Sequence, residues 1–150
     1  MVQAESLKRF NLFKDTALTH LIPIASRVDR VSYQANQLVF REGDVADTMY
    51  LVEVGTIDLI QLGVGVPVLA TLGTGSRFGD IAFFDGGQRP VSAKVREPTQ
   101  LFVIPYRTLQ HLLDTEPEFA ATFYKSGCSS LARRLRRTLS DLSFARERAA

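Results

Sequence analysis

The segment "TMYLVEVGTIDLIQLG", residues 48–63, constrains the fold more than any other part of the chain. Met49, Leu51 and Glu53 fall on one side of an extended backbone, and Tyr50, Val52 and Val54 on the other. That period of two belongs to a strand, not a helix. Gly55 is read as a turn, after which Ile57, Leu59 and Gln61 begin a second run. Similar short runs flank it. "DRVSYQANQLVFREGD" (29–44) holds two β-type runs broken by "QAN". "GVGVPVLATLG" (63–73) gives a glycine turn and another run, and "QLFVIPYRTL" (100–109) a strand at Leu101–Ile104 followed by a proline and a helix start. Short strands at near-regular spacing with glycine punctuation suggest a sandwich, roll or barrel.

Both ends of the chain have helical periodicity instead. "AESLKRFNLF" puts Leu7, Phe10 and Phe13 on one side, and "KDTALTHLIPIASRV" predicts a helix carrying Leu18, Leu21, Ile22 and Ala25, with Asp15 as N-cap and Pro23 ending or kinking it. After residue 105 only Gly127 and Pro117 interrupt a helical pattern, and Pro117 opens the last helix with Asp114 or Thr115 near its cap. Leu131, Leu135, Leu139 and Leu142 form a narrow apolar stripe there, flanked by arginines; residues 131–150 hold six arginines against Asp141 and Glu147. A thin stripe on a long helix asks for a partner. The favoured reading is a homodimer seam; the alternatives are packing back on the roll, or a basic helix meeting nucleic acid.

The totals narrow the function classes. A chain of 150 residues with 45% apolar and 23% charged side chains suits one domain with its own core. A net charge of +2 is too small for a general polyanion binder. The single cysteine, Cys128, forms no intramolecular disulfide, and His20 and His111 lie far apart in sequence, so no metal centre, cofactor or catalytic constellation is expected. Cys128 in "KSGCSS" is read as a structural thiol, not a nucleophile. No apolar run reaches the length of a membrane span and no secretory leader is evident, so a cytoplasmic setting is the expectation.

The stretch "RFGDIAFFDGGQRPVSAKV", residues 77–95, raises the functional question. Holding a phosphate within a β-roll takes converging backbone N–H groups, a glycine for close approach, a helical turn aimed at the anion and a two-pronged guanidinium. Gly79, the turn Asp80–Phe84 and Arg89 supply those parts, with Asp80 as an acceptor for a sugar hydroxyl. An ordinary hairpin loop is the other reading of the same residues.

"FGDIAFFDGGQRPVSAKV" resembles the phosphate-binding cassette of cyclic nucleotide-binding domains. The family pattern runs Phe-Gly-Glu-Leu/Ile-Ala-Leu, a short turn, then Arg-Ala/Ser/Thr-Ala-Thr-Val; counted from Phe78, Arg89 falls at the arginine without a gap. Upstream, Gly43-Asp44, Tyr50 and Gly55 in "LVFREGDVADTMYLVEVGTIDLI" are similar to the family's glycine-aspartate turn, tyrosine strand and glycine turn, and "SLARRLRRTLSDLSFA" resembles the central dimer helix of the cyclic AMP receptor protein group. The resemblance implies a mainly β, α+β fold: a double-stranded β-helix, or jelly-roll-like β-roll, spanning 28–105, with its cassette at 78–93, N-terminal helices at 1–27 and C-terminal helices at 106–150, all in one domain, 1–150. It implies a cyclic nucleotide sensor in signal transduction, not an enzyme, whose ligand binding moves the C-terminal helix and so acts on an effector protein. Arg89 would meet the cyclic phosphate, Asp80 the ribose 2′-hydroxyl and the Ala82 N–H a phosphate oxygen, with Gly79, Ile81, Pro90, Val91 and Ser92 completing the cassette. Thr138 aligns with a helix residue that contacts the purine in the receptor-protein group.

Two residues depart from the pattern. Asp80 is one methylene shorter than the family glutamate, which stretches the ribose contact. Pro90 has no N–H to offer the phosphate; a hydrogen bond to a charged group is worth roughly 1.5–3 kcal/mol, so its loss weakens binding about ten- to a hundred-fold. Pro90 also lacks the threonine hydroxyl that guanine-selective members use, and Ser92 lies two residues too late to replace it, so the expected ligand is cyclic AMP ahead of cyclic GMP. The alternatives are a ligand-free or other-anion-binding roll acting as a dimerisation module, and the sensor fragment of a transcription regulator. Family members often append a helix-turn-helix after the central helix; this chain stops at Ala150, so nucleic acid is not expected as a partner of this chain alone.

Overall fold

Two long strands organise the molecule. In the computed structural model, which describes residues 1–63, 65 and 67–149, β3 (Thr48–Ile60) and β6 (Ser92–Pro105) run antiparallel, from Thr48 opposite Pro105 to Ile60 opposite Ser92. β1 (Asp29–Tyr33) and β2 (Leu38–Phe40) pair with β6, and β4 (Val68–Leu72) and β5 (Arg77–Phe78) pair with β3. All these pairings are antiparallel, and the roll they form is the mainly β fold expected, with five helices among the described residues. These are α1 (Ala4–Lys8), α2 (Leu18–Ala25), α3 (Ile81–Asp85), α4 (Tyr106–Thr115) and α5 (Pro117–Ala149).

The alternation in β3 feeds two cores. Met49 and Leu51, with Phe102 and Ile104 of β6, pack beneath the helices among Leu7, Phe13, Leu21, Leu109 and Phe123. Tyr50 and Val52, with Val95 and Leu101, face the inside of the roll beside Phe40, Ile57 and Phe78. Adjacent residues on a strand point to opposite faces, so one pleated pair seals both compartments. On the helical side Phe123 is the hub, with ring centroids 5.5 Å from Phe119 and 5.9 Å from both Phe83 and Phe84.

Several local expectations are corrected. Gly55 is not a turn: β3 continues through it, and the register against β6 shifts on both sides of it. It sits at φ +125° with no room for a side chain, since a Cβ there would lie 2.7 Å from the Thr99 Cα. The glycine therefore absorbs a bulge that lets a long strand curl. The α2 N-cap is Ala17, not Asp15, and no side chain caps it; Pro23 sits within the helix, which ends two residues later. α1 stops at Lys8, and Phe10 and Phe13 are buried from the turns that follow it. The last strand is longer than Leu101–Ile104, because β6 begins at Ser92. α5 begins at Pro117, as expected, and runs unbroken through Gly127. The turn expected at 63–66 includes Val64 and Val66, which lie outside the described residues.

Gly55→Ala combines a strained φ with a clash against Thr99. It should lower the unfolding free energy by about 1–3 kcal/mol, read from urea denaturation; an unchanged midpoint would show that β3 accommodates a side chain there.

Candidate functional site

The cassette begins where β5 ends. Phe78 pairs with Tyr50 across β3, their rings stacked at 5.0 Å. Gly79 then turns at φ +75°, and a Cβ on it would stand 2.9 Å from the Arg89 Nη1 and 3.1 Å from the Tyr50 ring, so only glycine fits. α3 follows, its first turn leaving the N–H groups of Ile81 and Ala82 without intrahelical partners. The chain reverses at Gly86, φ +72°. Arg89 then docks on the Gly43-Asp44 turn, donating its N–H to the Asp44 carbonyl at 2.9 Å and accepting the Gly43 N–H at 2.8 Å.

Arg89 is 4% exposed. Its guanidinium lies 4.1 Å over the Phe40 ring. Nη1 donates to the Gly79 carbonyl at 3.0 Å and the Tyr106 hydroxyl at 3.1 Å, and Nη2 to the Thr48 carbonyl at 2.7 Å. The two prongs expected to meet a phosphate are thus turned onto main-chain carbonyls, where buried donors ordinarily find partners. Its buried Nε–H has no partner. The Tyr106 hydroxyl donates to the same Gly79 carbonyl. Burial pushes that phenol's pKa up, and the charge and hydrogen bond of Arg89 pull the other way.

Asp80 carries a second set of contacts. It is 1% exposed, and its Oδ2 accepts from the Arg77 Nε at 2.7 Å and the Arg134 Nη2 at 2.9 Å. Oδ1 has one longer contact, 3.2 Å from the Arg134 Nη1. Burial raises the carboxyl's pKa, but hydrogen bonds and charge from Arg134 and then Arg77 outweigh it and hold the group below the ordinary carboxylate range. Arg77 is driven the opposite way from the usual ion-pair partner: burial lowers its pKa, Asp80 resists, and Arg134 and Arg133 add repulsion. Arg134 comes from α5, so this carboxylate ties the cassette to the C-terminal helix.

A cavity of about 240 Å³ opens over these groups. Gly79, Asp80, Ile81, Ala82, Arg89, Pro90, Val91 and Thr138 all line it, so eight of the nine residues proposed from sequence come together. Ser92 does not: it is fully buried and its hydroxyl accepts the Glu42 N–H at 2.8 Å, so it is no fallback for Pro90. The Thr138 hydroxyl bonds back to the Arg134 carbonyl at 3.0 Å. Sequence reading missed Arg77 and Arg134, although Arg77 stands three residues before Asp80 and Arg134 lies in the basic cluster. It also missed the apolar wall of Phe40, Leu59, Leu69 and Leu72, which comes from separate strands. A larger cleft of about 790 Å³ lies between α2 and α4 and contains none of the cassette residues. No group of three His, Cys, Asp or Glu among the described residues could hold a metal ion, and no described helix is long and apolar enough to cross a membrane.

The sequence model of the family described as "Cyclic nucleotide-binding domain" matches residues 30–116. The chain is 29% identical over 136 residues to a cyclic nucleotide-gated cation channel of Drosophila melanogaster, covering 87% of this chain and 20% of the channel. It is 32% identical over 132 residues to the cyclic AMP receptor protein of Thermus thermophilus, covering 87% of this chain and 59% of that protein. The chain thus spans only part of the length of these relatives. Among solved structures, a cyclic nucleotide-binding domain from Methylobacillus flagellatus superposes with a TM-score of 0.78 at 22% identity, over 93% of this chain and 79% of the other.

Removing the Asp80 carboxylate leaves two guanidiniums facing each other. Asp80→Ala should cost about 3–5 kcal/mol at pH 7. Because the folded pKa is depressed, the stabilisation is complete above the unfolded value of about 3.9 and fades as pH falls below it. Urea unfolding of both proteins from pH 7 to pH 3 should therefore show the gap closing with acid; a gap constant across that range would contradict the ion-pair assignment.

Proposed function

The chain belongs to the cyclic nucleotide-binding domain family, and we propose that its cavity is a sensor site for cyclic AMP, coupled to α5. The family is a ligand-binding, regulatory one, not catalytic. The observation that carries the reading is the convergence of the cassette and α5 on one 240 Å³ cavity with Arg89 buried in its wall. The Ile81 and Ala82 N–H groups serve the cyclic phosphate. The ligand competes with the Gly79 and Thr48 carbonyls for Arg89, whose Nε–H is already free of protein partners. On Asp80, Oδ1 carries the fewest contacts and keeps a lone pair for the ribose 2′-hydroxyl. The purine lies against the apolar wall and Thr138. With Pro90 lacking a hydroxyl and the Ser92 hydroxyl occupied, nothing in the cassette favours guanine, which supports adenine.

Coupling to α5 has two supports. Arg134 grips Asp80 from the helix, and a Cβ on Gly127 would stand 2.8 Å from the Phe84 Cζ, so α3 seats a ring in a notch of α5. A ligand that draws on Asp80 and shifts α3 changes the preferred placement of α5, provided it binds one placement better. Leu135, Leu139 and Leu142 are 59%, 55% and 49% exposed, which supports a homodimer seam along this stripe.

Calorimetry should give saturable heat with cyclic AMP and weaker binding of cyclic GMP. Arg89→Lys keeps the charge but loses the fork and should weaken binding about ten- to a hundred-fold. Equal affinity in a folded Arg89→Lys protein would remove Arg89 from the site, and no heat in the wild type would leave the roll as an interaction module. For coupling, the exposed Cys128 is the sole cysteine and takes a fluorophore on α5. Its emission should change on saturation with cyclic AMP; unchanged emission alongside measured binding removes the coupling and leaves the site intact.

A further inference from the structure

A second cleft, of about 230 Å³, lies beside the nucleotide cavity. Residues following α1, the turn leading into β5 and one face of α5 enclose it. Arg77, Arg133, Arg134 and Arg137 line it, with Asn11 and Ser130 as neutral polar neighbours, and none of its lining residues is a carboxylate. Such a concentration of one sign in one recess is costly unless a counter-charge answers it.

The counter-charge within the protein is incomplete. Asp80 is shared between Arg77 and Arg134. Arg133 and Arg137 make no ion pair or side-chain hydrogen bond among the described residues. Arg77 is the more telling. Its side chain is 6% exposed, its Nε is spent on Asp80, and its Nη2 is buried without any partner. Buried guanidinium donors are ordinarily satisfied. Arg77, Arg134 and Arg137 line both cavities, and Arg133 lines this cleft but not the nucleotide cavity, so the two spaces share a wall of guanidiniums.

We propose that this cleft is a second anion site, distinct from the nucleotide cavity, that takes a small phosphate-class oxyanion between Arg77 and the α5 arginines, with Asn11 and Ser130 as hydrogen-bonding neighbours. Forked guanidiniums match tetrahedral oxyanions. An anion held there bridges α5 to the N-terminal segment and the roll.

Arg133 is exposed and does not line the nucleotide cavity, which makes Arg133→Ala the discriminating variant. Thermal melts with inorganic phosphate are compared with chloride at matched ionic strength. Phosphate should raise the wild-type Tm saturably, and Arg133→Ala should shift the half-saturating concentration upward about ten-fold or more. The Arg89→Lys protein should keep the phosphate response, because Arg89 does not line this cleft. Equal melts in phosphate and chloride overturn the inference. So does a response lost in Arg89→Lys but retained in Arg133→Ala, which would assign the ion to the nucleotide cavity. Phenyl phosphate run in parallel separates the sources: tighter binding than inorganic phosphate assigns the cleft to a phosphomonoester and equal binding to the free ion, both with the Arg133 dependence that supports the site.

Discussion

Arg89 holds the cassette together. At 4% exposure its two terminal nitrogens find protein acceptors in three places far apart in sequence, and only Nε is left unpaired: the acceptors are Thr48 at the start of β3, Gly79 before α3 and Tyr106 at the start of α4. Its own backbone is fastened to the Gly43-Asp44 turn. One side chain therefore closes the mouth of the roll, and the face of Phe40 supports it at 4.1 Å. This explains why Gly79 has no freedom to be anything larger. It also means that a ligand acting on Arg89 acts on the junction between roll and helices.

The second organising charge has the opposite sign. Asp80 stands between Arg77 of the roll and Arg134 of α5, almost out of solvent. Buried ion pairs contribute little net stability compared with an apolar replacement, but breaking one is expensive. Such a group specifies position more than it stabilises, and what it specifies here is where α5 rests. The same two arginines place α5 at the border of both cavities; Arg137 also lines both, and Arg133 lines the neighbouring cleft but not the nucleotide cavity. α5 therefore meets the cassette through apolar contacts, Phe84 against Gly127 and both α3 rings against Phe123, and through an ionic one, Asp80 with Arg134.

Particular residues show what could be read in advance. The alternation of Met49 to Val52 revealed the strand and its two faces, because side-chain direction in a strand depends on local geometry alone. Gly55 misled, because a glycine at positive φ serves a turn and a bulge equally; only the approach of Thr99 from β6 distinguishes them. Asp15 misled for a related reason: a good capping residue does not cap when the chain enters the helix two residues later, at Ala17. In the cassette, Gly79, Asp80 and Arg89 were legible from their residue types and spacing, and Ala82 through the resemblance. The hydrogen-bond partners of Arg89 and Asp80 were not, since they come from strands and helices up to 54 residues away.

The order of residues alone was enough for short strands between helical ends and for a glycine-bounded turn carrying Asp80 and Arg89, while the choice of a roll over a sandwich or barrel came from the resemblance. The strands, the helical ends and the turn follow from periodicity and from local backbone rules, which act over a few residues. Where the charges point was set by folding: Arg89 inward onto carbonyls, Asp80 into a clamp of two arginines, Ser92 away from the cavity and α5 against the cassette. Each of those outcomes depends on which donors and acceptors burial leaves without water, and that is settled only when distant segments meet.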